Sequence, residues 1–208
     1  MSGRAAQLPV VRTGTANTAS VIAALRRVGA APVLTTDASS VREADRLVLP
    51  GVGAFAAAMD ELSRAGLIDA LRERLSAGRP TLCICLGLQL LAESSEESPG
   101  ARGLAVMSGA RVTRLAPPAP LRVPQLGWNL VSAAPGGRFL TEAGHAYYAN
   151  SFALHEAPAG WACATTAHGA RFVAAAEREG VLACQFHPEL SGAWGLALIE
   201  RWMKECAL

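Results

Sequence analysis

Five cysteines lie in the 208-residue chain, and Cys85 alone stands where a thiol could act as a nucleophile. In TLCICLGLQLL (81–91) a short apolar run stops at Cys85 and restarts at once as an amphipathic segment, which reads as strand, tight turn, helix. With Gly87 two residues on, this is the pattern of a nucleophile elbow, where a side chain is held at the mouth of a sheet and backbone N–H groups face it. A helix N-terminus behind the sulfur favours negative charge there. The base comes from far away, in CQFHPE (184–189), where His187 follows another apolar run and Glu189 stands two residues later, with Pro188 stiffening the link. An imidazole can take the thiol proton and return one to a leaving group, while a carboxylate on its other nitrogen fixes tautomer and orientation. Cys85, His187 and Glu189 therefore read as a triad. A third element, LVLPGVGAF (47–55), runs from a strand into two glycines. Its main-chain N–H groups could point at a developing oxyanion, or the stretch could be an ordinary turn into a helix over 54–65.

Each of these residue types has a plainer use. A buried cysteine is usually a small inert hydrophobe, and this is the reading of Cys83, Cys163, Cys184 and Cys206. His-Pro-Glu alone would be loop punctuation, and the pairing with an elbow cysteine gives it value. Cys83 and Cys85 invite thoughts of zinc, but no second close pair of ligands follows, and the two thiols are expected on opposite faces of their strand; no metal is assigned.

The strings CLGLQ, FHPE and PGVG together resemble the class I, triad-type glutamine amidotransferases. PGVGAF followed by Met59, and then VPQLGWN (123–129), are similar to one branch, the glutaminase subunits of imidazole glycerol phosphate synthases; the likeness extends to SGAWGLALIERW near the end. The resemblance implies that backbone donors around Gly51, Val52, Gly53 and Leu86 form an oxyanion hole. It implies that Gln89 and Glu97 grip L-glutamine, and that the main chain around Asn150, Ser151 and Phe152 holds its α-carboxylate. Glu97 could otherwise be part of a solvated loop. No cofactor is implied. The partner implied is a (β/α)8 cyclase, docked through Gly127, Trp128, Asn129, Tyr147 and Leu190, although a Trp beside Gly can simply plug a core. The chain departs from the branch pattern at Cys83, Gln125, Asn150, Leu190, Arg12 and Thr13, none of them in the triad; Leu190 stands where a lysine is usual. Other class I amidotransferases, serving anthranilate, aminodeoxychorismate or guanylate synthesis, would keep the triad and change the partner. A catalytically silent subunit would be expected to lose it.

To bring residues 85 and 187 together, the elements must form a layered fold. Short apolar runs alternate with helical patterns, which predicts a doubly wound α/β domain with a mostly parallel sheet and helices on both faces, spanning 1–208 as one class I amidotransferase domain. Strands are expected at 8–11, near Val33 and at 47–49, and helices over 17–28 and across 54–77. Beyond Leu104 an antiparallel addition is expected through 147–154, 161–166 and 172–177, with APPAP (116–120) as a surface turn and 192–206 as a closing helix. With 51% hydrophobic residues the chain can bury a substantial core, and a net charge of +2 with dispersed basic residues leaves no stripe for nucleic acid or a membrane surface. The odd cysteine count and the lack of an apolar leader in 1–7 point to a reducing cytoplasm.

Overall fold

The computed structural model describes residues 7–14 and 18–206. The first half runs β1 (Gln7–Val11), α1 (Thr18–Arg27), β2 (Ala31–Thr35), α2 (Ala38–Glu43), β3 (Leu47–Gly51), α3 (Phe55–Arg64), α4 (Ile68–Ser76), β4 (Thr81–Cys85) and α5 (Leu86–Gln89). The second half holds β5 (Ser94–Ser95), β6 (Arg111–Arg114), β7 (Gln125–Val131), β8 (Gly144–Asn150), β9 (Phe152–Leu154), β10 (Ala162–His168), β11 (Ala170–Arg178), β12 (Val181–Cys184), a 3-10 turn at Pro188–Leu190 and α6 (Gly192–Glu205). The expected start of the first helix at Asn17, and residues 1–6 of the leader reading, lie outside the described residues.

The main sheet has seven strands in the order β10-β11-β12-β4-β3-β1-β2. The five from β12 to β2 are parallel, and β11 and β10 add antiparallel at one edge. β3 and β4 are buried at every residue, as central parallel strands covered on both faces must be, which is why their sequences are continuously apolar. Val48, Leu82 and Leu182 pack toward α1 and α6, while Leu49, Cys83 and Ala183 pack toward α3 and α4. In α3 the buried residues are Phe55, Ala58, Met59 and Leu62, the spacing of a one-sided helix. A buried guanidinium ties the start of β4 to its surroundings: Arg74 donates to the carbonyls of Val41, Ala44 and Pro80 and to Thr81 Oγ1. Burial, with Arg79 nearby, lowers its pKa to about 10.

The expected helices across 54–77 are α3 and α4, divided where Gly66 takes φ +68° and Leu67 N–H donates to Leu62 O in a glycine C-cap. The architecture differs from the sequence reading in two places. The segment 147–154 does not join the antiparallel edge. It breaks at Ser151, so that β8 pairs along its length with β7 in a two-stranded ribbon, with a single bridge from Tyr147 to His187, and β9 pairs with β6 in a small separate sheet. A local bond from Asn150 Nδ2 to Phe152 O holds that break. Finally, α5 is a four-residue helix buried all round rather than an amphipathic one. The carbonyls of Leu90, Leu91 and Ala92 are taken by the N–H groups of Leu104, Met107 and Ala105, which turns the chain away from a longer helix.

Candidate active site

Cys85 ends β4 with φ 55° and ψ −109°, a sparsely populated conformation for a residue with a side chain. Its effect is visible in the packing. Along a strand, residues 83 and 85 should share a face; here Cys83 packs with the α3/α4 side, while Ile84 and Cys85 both belong to the opposite side. The reversal is the elbow. The close approach that makes it possible is glycine-dependent: a Cβ on Gly87 would lie 2.1 Å from Leu49 O, and one on Gly51, which pairs with Cys85, would lie 2.9 Å from Leu86 Cβ.

His187 follows β12, and its ring is oriented from both sides. Nδ1 is 2.8 Å from Glu189 Oε1, and the side chains of the pair are only 8% and 4% exposed. Cys85 faces the ring as well, close enough to act on its charge. Its backbone N–H donates to Tyr147 O at 2.9 Å, and Ser191 Oγ donates to its carbonyl at 2.6 Å. Burial works against the imidazolium, but the hydrogen bonds and charges of Cys85 and Glu189 outweigh it and raise the His187 pKa to about 10. The ring is thus held protonated beside the sulfur. Burial pushes the thiols of Cys83, Cys184 and Cys206 upward and that of Cys163 to about 11, so these four remain thiols.

A cavity of about 330 Å³ joins the two halves of the site. Its wall contains Cys85, His187, Val52, Gly53 and Leu86 together with all five expected substrate residues, Gln89, Glu97, Asn150, Ser151 and Phe152. Gly51 lies outside that wall and lines a neighbouring cavity of about 200 Å³ with Glu189, Tyr147 and Leu190. Gly53 has φ +95°, so the glycine strand turns where only glycine turns freely. Glu97 has a second task beside the cavity: its Oε2 accepts from Phe55 N–H at 2.8 Å, while Ser98 Oγ accepts from Ala56 N–H, capping a helix whose own N-cap, Ala54, has no side chain for the purpose. Asn150 is 5% exposed and its Oδ1 is buried without a partner among the described residues. Gln125, its register partner across the ribbon, has an unpartnered buried Oε1 as well.

Of the expected docking residues, Gly127, Trp128, Asn129 and Tyr147 fall on the β7–β8 ribbon, with Trp128 on a strand rather than in a loop, while Leu190 ends the 3-10 turn after His187. Its ring is 58% exposed and meets Tyr147 edge-on at 6.3 Å. Gly127 has φ +130°, and Leu190 is exposed nearby in sequence to the triad. Asn129 faces inward to β10, donating to Ala167 O. Leu126 and Leu130, which sequence reasoning missed, flank Trp128 on the same face and are 68% and 52% exposed. The alternation in LGWNL was the available signal. Gln185 was missed too; its Nε2 donates to Cys85 Sγ at 3.8 Å. Among the described residues no cluster of three His, Cys, Asp or Glu side chains could hold a metal ion, and no helix is long and apolar enough to cross a membrane.

A strained cysteine at the end of a parallel strand, a buried histidine–glutamate pair and a facing glycine strand define an α/β protein of the triad-bearing thiol class. The chain belongs to the class-I glutamine amidotransferase family, which matches residues 10–206, and within it to the relatives named imidazole glycerol phosphate synthase subunit HisH. It is 41% identical over 200 residues to that subunit from Symbiobacterium thermophilum, covering 95% of this chain and 93% of that protein. It is 39% identical to Imidazole glycerol phosphate synthase hisHF, chloroplastic, from Arabidopsis thaliana, covering 91% of this chain but only 33% of that protein. The backbone also matches a solved glutamine amidotransferase with a TM-score of 0.75 at 19% identity, covering 96% of this chain and 99% of the other, which shows the shared fold.

Proposed function

We propose that this chain is a single-domain glutaminase subunit of an imidazole glycerol phosphate synthase. It hydrolyses L-glutamine to glutamate and passes the ammonia to a (β/α)8 cyclase subunit in histidine biosynthesis. The observation that carries the reading is the one cavity in which Cys85 and His187 meet Gln89, Glu97 and Asn150. The Cys85 sulfur attacks the side-chain amide carbon of glutamine, and N–H groups of the glycine strand and of Leu86 receive the oxyanion. His187, already protonated, gives its proton to the departing ammonia and then takes one from the water that attacks the γ-glutamyl thioester. Glu189 holds the ring throughout. Glu97 offers a carboxylate to the substrate's α-ammonium, and the unpartnered Asn150 Oδ1 offers a second acceptor.

Ammonia set free in water would be protonated and lost, so such a site needs a synthase docked over it. The apolar row Leu126, Trp128 and Leu130 suits that contact, and Tyr147, against which Trp128 packs, lines the smaller cavity with Glu189. The Arabidopsis relative has about two thirds of its length outside the stretch this chain matches, room for a synthase part in the same polypeptide. The test is synthesis with purified cyclase: Cys85→Ala should abolish glutamine-dependent product and leave ammonia-dependent product unchanged. Retained glutamine-dependent synthesis in that variant refutes the assignment.

A further inference from the structure

Gln185 lies outside the triad, yet it is fully buried and both ends of its amide are engaged. Its Oε1 accepts from Gln89 Nε2 at 3.0 Å, and its Nε2 donates to Cys85 Sγ at 3.8 Å. The far end of this chain of amides fixes its direction. Gln89 also reaches the carbonyl oxygen of Phe152, at 2.9 Å, and a backbone carbonyl can only accept. The Gln89 atom in that contact must be the nitrogen. The same nitrogen faces Gln185, which must therefore present its oxygen there and leave its own nitrogen for the sulfur. Flipping either amide sets two donors or two acceptors against each other. The backbone at this point is also held, since Gln185 N–H donates to Ala174 O at 2.8 Å.

We infer that Gln185 is a further catalytic residue: its amide N–H supports negative charge on the Cys85 sulfur, and its orientation is set, through Gln89, by the wall of the substrate cavity at Phe152. A hydrogen bond to an ionised acceptor is stronger than one to a neutral acceptor, so the donor favours thiolate over thiol. His187 supplies the opposite charge on another side, and Gln185 supplies a fixed dipole that carries no proton to lose. The inference rests on Cys85 being the nucleophile of the proposed glutaminase.

The test is alkylation of Cys85 by iodoacetamide in the full chain, read by mass spectrometry of the peptide that carries it. This needs no glutamine, so an incorrect substrate assignment leaves it standing, and its failure leaves glutaminase turnover to be judged separately. Gln185→Glu keeps the shape and the acceptor for Gln89 but sets an acceptor against the sulfur; Gln185→Met fills the space with no donor. Labelling at neutral pH should slow about tenfold or more in both, the low end of what a hydrogen bond to a charged group contributes. The labelling profile should also move to higher pH. Folded variants that label Cys85 at the parental rate with the parental profile overturn the inference. Where neither variant folds, the parent labelled with 15N-glutamine carries the test: the Gln185 Nε2 protons should shift as Cys85 ionises, and resonances that stay still through that titration overturn it.

Discussion

Gly87→Ala tests whether the elbow's geometry rests on the closeness of two backbones. A Cβ at residue 87 would lie 2.1 Å from Leu49 O and 3.2 Å from Leu49 C. An ordinary contact of a Cβ begins at 3.4 Å, so β3 and the elbow must part by about 1.3 Å. Both are fully buried, and neither has room to yield cheaply. Overpacking of this kind costs about 1–3 kcal/mol, which for a chain of this length lowers the melting temperature by roughly 2–12 °C. The larger effect should be on chemistry, because Gly51 on β3 pairs with Cys85 and leads into the glycine strand. A misplacement near 1 Å between nucleophile and oxyanion donors costs on the order of a hundredfold in turnover. The assay is glutamate release with saturating cyclase, alongside thermal melting. Gly160→Ala is the control, since Gly160 has φ +78° but open space around it; it should cost about 1 kcal/mol of backbone strain and leave turnover alone. Turnover of Gly87→Ala within threefold of the parent, at an unchanged melting temperature, would refute the reasoning.

Glu97→Gln keeps an acceptor for Phe55 N–H and loses the charge, so KM for glutamine should rise with little change in melting temperature, whereas Glu97→Ala should also lose about 1 kcal/mol of helix capping; a parental KM in the Gln variant excludes the ammonium contact. Arg74→Met leaves buried carbonyls of Val41, Ala44 and Pro80 without donors and should lower stability to denaturant by about 3 kcal/mol or more; a smaller loss means water reaches them. The folded pKa of His187 is raised from 6.5 to about 10, so its stabilising contribution is full below pH 6.5 and is lost as pH rises toward 10; the melting temperature should fall across that window more in the parent than in His187→Asn. Leu126→Asp and Trp128→Ala should each weaken cyclase binding at least tenfold in titration calorimetry while the isolated chain melts as before, and unchanged affinity in both would place the docking face elsewhere.

The meeting of Cys85, His187 and Glu189 and most of the cavity lining were legible because each depends on a local pattern with few alternatives. An elbow needs a residue that tolerates strain followed by a small one, and the spacing of Cys85 and Gly87 states that directly. His187 and Glu189 are two residues apart, so their hydrogen bond depends on one turn of backbone that Pro188 stiffens. What was not legible depends on partners distant in sequence. Gln185 reads as one more residue in CQFHPE until Gln89, 96 positions earlier, is seen to fix which end of its amide meets the sulfur. Glu97 reads as part of a polar loop, and its capping of α3 is made across 42 positions. The break at Ser151 is local, but the Asn150 side chain that holds it competes with a strand pattern running through it, and a pattern cannot state which of the two wins.

Cys83 and Cys85 show how a correct placement can have a different cause from the one expected. Strand alternation repeats every two residues, so by period alone both thiols belong on the face toward α3 and α4. Cys83 stays there, deep in the core, where burial keeps it a thiol. Cys85 is turned to the other side by its own positive φ, which brings the sulfur to His187 and Gln185. The strain at one residue thus separates a cysteine sealed in the core from the proposed nucleophile two positions away, and the glycines at 51 and 87 are the positions where a side chain would prevent it. A substitution that relaxed Cys85 into regular strand geometry would return its sulfur to the face of Cys83, away from the base, with the triad residues all still present.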